Sequence, residues 1–252
     1  MSVQPKILIH DYYAVTILGY EMETTISGSG SSGKVLLKKV LLICGILSSL
    51  LYAGMDVIGG TRWQNYSWIS QEFSRLSSIG APSRPIHLVL SPVYTVLVVA
   101  FGLGVWWSAG RKRALCIVGG ALVVYAVVSL VWPQFFPEDL TAPVSAFTNT
   151  MHIILTVVTV FSWMLILGFG ATAFGKRFRL YSIGTLLTVL VFGALSGLQG
   201  AALAAGQPTT WLGLTERINI YSFMLWAAVL AVVLLRAEKG LGSRTTPEVP
   251  LK

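Results

Sequence analysis

The chain has 252 residues, of which 54% are hydrophobic and only 11% are charged. Because soluble domains carry roughly 25% charged residues, this composition excludes a soluble domain of ordinary size beside the apolar segments. The formal charge of +8 would suit a nucleic-acid binder. The basic residues, however, lie in short clusters at the ends of apolar segments, so we expect no nucleic-acid partner.

The first 34 residues do not share the pattern of the rest. Residues 26–34 read ISGSGSSGK, a Gly/Ser linker with almost no side chains to bury. We therefore expect residues 1–34 to be a disordered leader on the cytoplasmic side. Met22 lies just before the linker. Either Met1 or Met22 is the start of translation, and the lack of helical periodicity before Met22 favours Met22.

Residues 35–238 contain six long apolar stretches. At about 1.5 Å of rise per residue, each can cross the roughly 30 Å hydrocarbon layer as a helix. The sequence thus predicts an all-α, six-helix transmembrane domain, followed by a flexible cytoplasmic tail over residues 239–252. The stretches are Val40–Ile58, Ile86–Ser108, Leu115–Trp132, His152–Phe174, Leu180–Ala204 and Ile218–Leu235.

Basic clusters occur at every other boundary of these stretches. This alternation is the positive-inside pattern, and it predicts a multi-pass protein of a bacterial inner membrane with both termini in the cytoplasm. The same side chains suit contacts with anionic headgroups, so membrane lipids are the expected partners. The clusters are Lys34, Lys38 and Lys39; Arg111, Lys112 and Arg113; Lys176, Arg177 and Arg179; and Arg236, Lys239, Arg244 and Lys252.

The longest outward loop, Gly59–Pro85, has the clearest pattern. After Ser67, a candidate N-cap, the apolar residues Ile69, Phe73 and Leu76 follow at helical spacing, and a Gly and a Pro end the run. We expect a short extracytoplasmic amphipathic helix over Ser67–Ile79. It would cap the bundle or act as a lid over a site.

Ionisable residues concentrate at the outer ends of the stretches. Because the helix ends of an antiparallel bundle share one level, their side chains could converge on one pocket. We expect this pocket to bind or sense a lipid headgroup or small ligand rather than to catalyse a reaction, and we expect no cofactor. The candidate residues are Asp56, Arg75, Arg84, His87, His152 and Glu216.

Two other functions remain open at this point. An intramembrane metal-dependent hydrolase or lipid-modifying enzyme could use His87, His152 and Asp56, although no HxxxH or HExxH spacing supports a metal site. A small-solute transporter is the third possibility. It is disfavoured because no Asp, Glu, Lys or Arg lies in the middle of any stretch.

One segment carries a family resemblance. Residues 66–85, YSWISQEFSRLSSIGAPSRP, resemble the signature of the bacterial six-helix family known as domain of unknown function 998, through Ile69-Ser70, Leu76-Ser77 and Gly80-Ala81-Pro82. His152 at the start of the fourth stretch fits the same family. The resemblance implies a six-helix membrane protein over about residues 38–237, distantly similar to the DRAM-type membrane proteins. It implies no catalytic residues.

Overall fold

The computed structural model of the chain describes residues 8–143, 145–205 and 207–242, and for residues 8–32, 204 and 239–242 only the backbone. Within these residues the protein is all-α, as predicted. The six α-helices are α1 (Leu8–Thr61), α2 (Arg84–Ser108), α3 (Arg113–Phe135), α4 (Phe147–Ala173), α5 (Lys176–Ala204) and α6 (Leu212–Gly242).

All six helices are long and apolar enough to cross a membrane. The membrane-length segments have 23 to 29 residues and a mean hydropathy of 1.8 to 2.6. Large apolar side chains such as Val89, Leu187 and Leu198 are exposed on the outer surface of the helices, where lipid tails rather than water would surround them. The prediction of a six-helix transmembrane protein is therefore confirmed.

The first helix begins well before the apolar stretch. The backbone is helical from Leu8 through the Gly/Ser linker to Thr61, and the disorder expected of residues 1–34 stays a prediction. The described residues up to Val40 form one compact unit and those from Leu41 onward form another. The domain boundaries at residues 34 and 238 and the choice between Met1 and Met22 stay predictions, and residues 1–7 and 243–252 lie outside the described residues.

Small residues let the helices of the second unit approach closely. A Cβ on Gly119 would lie 2.7 Å from the backbone oxygen of Gly102, so α2 and α3 meet backbone to backbone. A Cβ on Gly45 of α1 would lie 2.6 Å from the ring of Phe101 on α2. The Ser49 hydroxyl of α1 donates to the Met224 carbonyl of α6 over 2.9 Å. The first helix therefore contacts both α2 and α6 and closes the bundle.

We call one end of the bundle the mouth. At this end α1, α3 and α5 finish and α2, α4 and α6 begin. Three connections form it: the first mouth loop (residues 62–83), the second (residues 136–146) and the third (residues 205–211). The Arg111–Arg113 cluster lies at the opposite end.

The helix in the first mouth loop is shorter than predicted. Ser67 does cap a turn, since its hydroxyl accepts from the amide of Ser70, but only Ser74–Ser77 is helical, as a 3-10 turn. The reason is competition from α6. The carbonyl of Ile69 accepts from the amide of Leu214 and that of Gln71 from Arg217, so these groups serve tertiary contacts instead of a helix.

Candidate functional site

The centre of the mouth is a buried ion pair between α1 and α6. Arg217 donates through Nε to Oδ2 of Asp56 and through Nη2 to Oδ1, both over 2.9 Å. Asp56 is 2% exposed and Arg217 7% exposed. The hydroxyl of Tyr221 also donates to Oδ2 of Asp56 over 2.6 Å. This bidentate geometry is the one that an arginine fork and a carboxylate favour, and it joins the end of α1 to the start of α6.

The same guanidinium holds the first mouth loop. Its Nη1 donates to the carbonyls of Trp68 and Gln71 over 2.9 and 2.8 Å, and its Nη2 donates to the hydroxyl of Tyr66 over 2.6 Å. Burial raises the pKa of the Tyr66 phenol, so its hydroxyl keeps its proton and donates to the carbonyl of Glu72 over 2.8 Å. Arg217 therefore has partners for all its nitrogens and is not free to bind a ligand.

A second group of charges lies beside this pair and is not balanced. The carboxyl groups of Glu72, Glu138 and Glu216 act on one another electrostatically, and Arg75 is the cation that acts on Glu138. Arg75 Nε lies 3.7 Å from Oε1 of Glu72. Glu216 is partly satisfied, because its Oε2 accepts from the amide of Phe73 over 2.6 Å. Arg217 also acts on Glu216, but it is already paired with Asp56. Three carboxylates against one further guanidinium leave negative charge uncompensated when all are ionised.

The most unusual member of the group is Glu72. It is 6% exposed, and neither of its carboxylate oxygens has a hydrogen-bond partner. The Oε2 of Glu138 is also buried and without a partner. A carboxylate buried in this way costs several kcal/mol unless a proton or a cation neutralises it. Burial, followed by the neighbouring Glu72, raises the pKa of Glu138 to about 8 against the opposing effect of Arg75.

The two histidines of the predicted pocket lie in different places. His87 bonds through Nδ1 to the carbonyl of Ser83, the residue just before α2 begins, at 3.2 Å, and its buried Nε2 has no partner. It lies beside Gly59 of α1, whose Cβ, if present, would be 2.7 Å from the imidazole Cε1. His152 instead joins the start of α4 to the end of α3, since its Nδ1 lies 3.1 Å from the carbonyl of Phe136.

The structure thus brings together part of the predicted set. Arg75 lies in the first mouth loop, Glu216 accepts from the amide of Phe73 in that loop, and Asp56 binds the arginine that holds the loop. His87 lies beside Gly59, one helical turn after Asp56 on α1. Arg84 bonds to the carbonyl of Ser77 at the far end of that loop. His152 does not join them. Whether these residues bind a ligand stays a prediction.

The predicted set left out five residues of the mouth that the contacts make prominent. They are Tyr66, Glu72, Glu138, Arg217 and Tyr221. Charge balance could have found Arg217, because a carboxylate at the end of an apolar span, such as Asp56, requires a nearby cation. Nothing local in the sequence signals that Glu138 approaches Glu72, since they lie on separate loops.

The metal alternative has no support in the geometry. Throughout residues 8–143, 145–205 and 207–242 with described side chains, no three His, Cys, Asp or Glu groups could jointly hold a metal ion. His87, His152 and Asp56 are therefore not such a group, because His152 bonds at the α3–α4 junction instead.

A shallow groove runs along α6 from the mouth towards the middle of the bundle. It has a volume of about 460 Å³ and is open to the side. Its lining residues are Leu214, Arg217, Ile218, Tyr221, Ser222 and Leu225. Arg217 and Tyr221, which hold Asp56, therefore form part of its wall, and the remainder is mostly apolar. All of its lining residues lie on α6, so the groove is an open, mostly apolar face of that helix that lipid tails could contact.

Comparison with known proteins decides the family. The family model described as "Protein of unknown function (DUF998)" matches residues 46–233. The chain belongs to this family. The match covers α1 from residue 46 to most of α6, so the whole mouth of this DUF998 protein lies inside it. The distant similarity to DRAM-type proteins stays a prediction. Searches of curated proteins and of solved structures found no match.

Proposed function

We propose that this DUF998 protein binds a positively charged group at its mouth, either the amine of a lipid headgroup or a small soluble amine. The supporting observation is the pair of oxygens on Glu72 that have no hydrogen-bond partner, in a residue that is 6% exposed and acts electrostatically on Glu138. An ammonium group carries three donors and one positive charge, so it would satisfy these oxygens and offset the excess of carboxylates.

The proposed orientation follows from charge. The clusters Arg111–Arg113 and Lys176–Arg179 lie at the end of the bundle opposite the mouth. The positive-inside rule therefore favours a mouth facing away from the cytoplasm, with both termini inside the cell. In a bacterial inner membrane the mouth would face the periplasm. The protein would bind or sense its ligand from that side.

The groove on α6 favours a lipid as the source of the amine. Its outer end includes Arg217, which also bonds to the carbonyl of Gln71, the residue before Glu72. A lipid in the groove would therefore keep its headgroup next to the first mouth loop and its chain along Ile218 and Leu225. A soluble amine would need only the carboxylates and would gain nothing from the groove.

Native mass spectrometry of the purified protein tests this proposal. Phosphatidylethanolamine and phosphatidylglycerol with the same acyl chains are added at equal concentration. We expect the wild type to retain phosphatidylethanolamine preferentially and Glu72→Gln to lose this preference. Asp139→Asn is the matched control, because Asp139 lies in the same mouth but bonds to Thr141, and it should behave as the wild type.

Two outcomes have distinct meanings. Displacement of the lipid by free ethanolamine would identify a soluble amine as a sufficient ligand. Equal retention of both lipids by the wild type, or an unchanged preference in Glu72→Gln, would contradict the proposal.

A further inference from the structure

We propose that the end of the bundle opposite the mouth binds an anionic phospholipid with two phosphates, one at each of two basic turns. The first basic turn is residues 109–112, between α2 and α3, and the second is residues 174–175, between α4 and α5. The site shares no residue with the mouth, so this inference does not rest on the proposed function.

Side-chain bonds to the end of α4 hold the two basic turns together. Lys112 of the first turn donates through Nζ to the carbonyl of Ala173, the last residue of α4, over 3.2 Å. The same Nζ lies 4.7 Å from the centre of the Phe174 ring in the second turn. Arg179 of α5 donates through Nε to the carbonyl of Ala171 over 3.3 Å. The last carbonyls of a helix attract cations, so Lys112 and Arg179 fix the turns next to each other.

Four further cations at the basic turns are exposed to the surroundings. Among the residues that the structure describes, none of their side chains has a hydrogen bond or an ion pair. Residues 109–117 and 171–183 contain no Asp or Glu that could neutralise them. Uncompensated positive charge of this kind attracts anionic headgroups. The four are Arg111 and Arg113 at the first turn and Lys176 and Arg177 at the second.

Each basic turn is followed by a stripe of exposed apolar side chains. In both stripes the apolar residues lie four and eleven positions after a cation, which places them on the same face of the helix. They are 42% to 60% exposed. Lipid tails would therefore contact the stripe while the phosphate contacts the cation above it, whereas a soluble polyanion would make no use of the stripe. The stripes are Arg113, Ile117 and Val124 on α3 and Lys176, Leu180 and Leu187 on α5.

The arrangement favours two linked phosphates over two separate lipids. Helix α4 packs against both α3 and α5, and Lys112 fixes the distance between the two turns. When one phosphate of a two-phosphate lipid binds at the first turn, the second phosphate is held near the second turn. Its binding is then an intramolecular step, which raises the overall affinity above that of a lipid with one phosphate.

Native mass spectrometry of the full-length purified protein tests the inference. Cardiolipin, which has two phosphates, and phosphatidylglycerol, which has one, are added with the same acyl chains at equal phosphate concentration. We expect the wild type to bind cardiolipin at least about tenfold more tightly. Arg113→Gln and Arg177→Gln each remove one exposed cation from one turn and should each weaken cardiolipin binding about fivefold. Arg62→Gln is the matched control, because it removes an exposed cation from the first mouth loop, and it should behave as the wild type.

Equal affinities of the wild type for the two lipids would overturn the assignment of a lipid with two phosphates. A loss of affinity in only one of Arg113→Gln and Arg177→Gln, or in neither, would overturn a site built from both turns. An equal loss in Arg62→Gln would show a response to net charge alone and would also overturn it. All of these variants keep Glu72, so each of these results is separate from the fate of the amine site at the mouth.

Discussion

The buried pair between Asp56 and Arg217 allows a quantitative prediction. Asp56→Ala removes both oxygens that Arg217 Nε and Nη2 contact at 2.9 Å and the acceptor of the Tyr221 hydroxyl. The guanidinium keeps its bonds to the first mouth loop and stays buried without a counter-ion. Leaving one partner of a buried pair uncompensated costs about 3–5 kcal/mol. For a protein of this size, we expect a loss in melting temperature of about 10 °C.

Thermal unfolding in one detergent, followed by tryptophan fluorescence, measures this loss. Ser49→Ala is the matched control, because it removes a neutral hydrogen bond between the same two helices and should cost only about 1 kcal/mol. The double variant Asp56→Ala with Arg217→Met should lose less than the sum of the single losses, since it buries no unpaired charge. If Asp56→Ala melts no lower than Ser49→Ala, then the pair does not hold α1 to α6 and our reasoning about the mouth is refuted.

Three further predictions concern packing, pH and topology. Gly170→Ala should destabilise the bundle by about 1–3 kcal/mol, because its Cβ would clash with the Trp226 indole. Gly168→Ala is the control and should leave stability unchanged, because a Cβ there would have no atom within 4 Å. Equal melting temperatures of the two variants would contradict this prediction. The folded state raises the pKa of Glu138 from 4.5 to about 8. The protonated Glu138 carboxyl group therefore contributes its full share of stability below pH 4.5, and this share is lost as the pH rises to about 8. Between pH 6 and pH 8 the free energy of unfolding of the wild type, measured with denaturant, should therefore fall by about 2 kcal/mol more than that of Glu138→Gln. Parallel pH profiles of the two proteins would contradict this prediction. A reporter fused after Arg111 should be active only in the cytoplasm, and activity outside the cell would invert the proposed orientation.

The transmembrane architecture could be predicted from the sequence because it depends on length and hydropathy. An apolar segment of about twenty residues has few stable alternatives to a helix in lipid. All six predicted stretches correspondingly lie in six helices that are long and apolar enough to cross a membrane. The first mouth loop was less predictable. Its apolar spacing predicts a helix over Ser67–Ile79, but bonds from Arg217 and Leu214 take the carbonyls of Gln71 and Ile69.

The candidate site was predictable only in part, for a related reason. Sequence position shows that Asp56 and Glu216 lie at the same end of the bundle, and the structure places both around the first mouth loop. Position along the chain does not show which neighbour each charge finds. His152 shares their level by sequence, yet it bonds to the carbonyl of Phe136. Glu72 acts electrostatically on Glu138 only because their two separate loops lie at the same end of the bundle.

Binding of a lipid amine by the carboxylates of the mouth is the central claim, and calorimetric titration measures it most directly. A short-chain phosphatidylethanolamine is titrated into the purified wild type and into Glu72→Gln at pH 7, with a short-chain phosphatidylglycerol as the comparison lipid. We predict saturable binding of the ethanolamine lipid to the wild type and at least about a tenfold weaker affinity in Glu72→Gln, the equivalent of losing one charged hydrogen bond. Equal affinities in the two proteins, or equal affinities of the wild type for the two lipids, would contradict the claim.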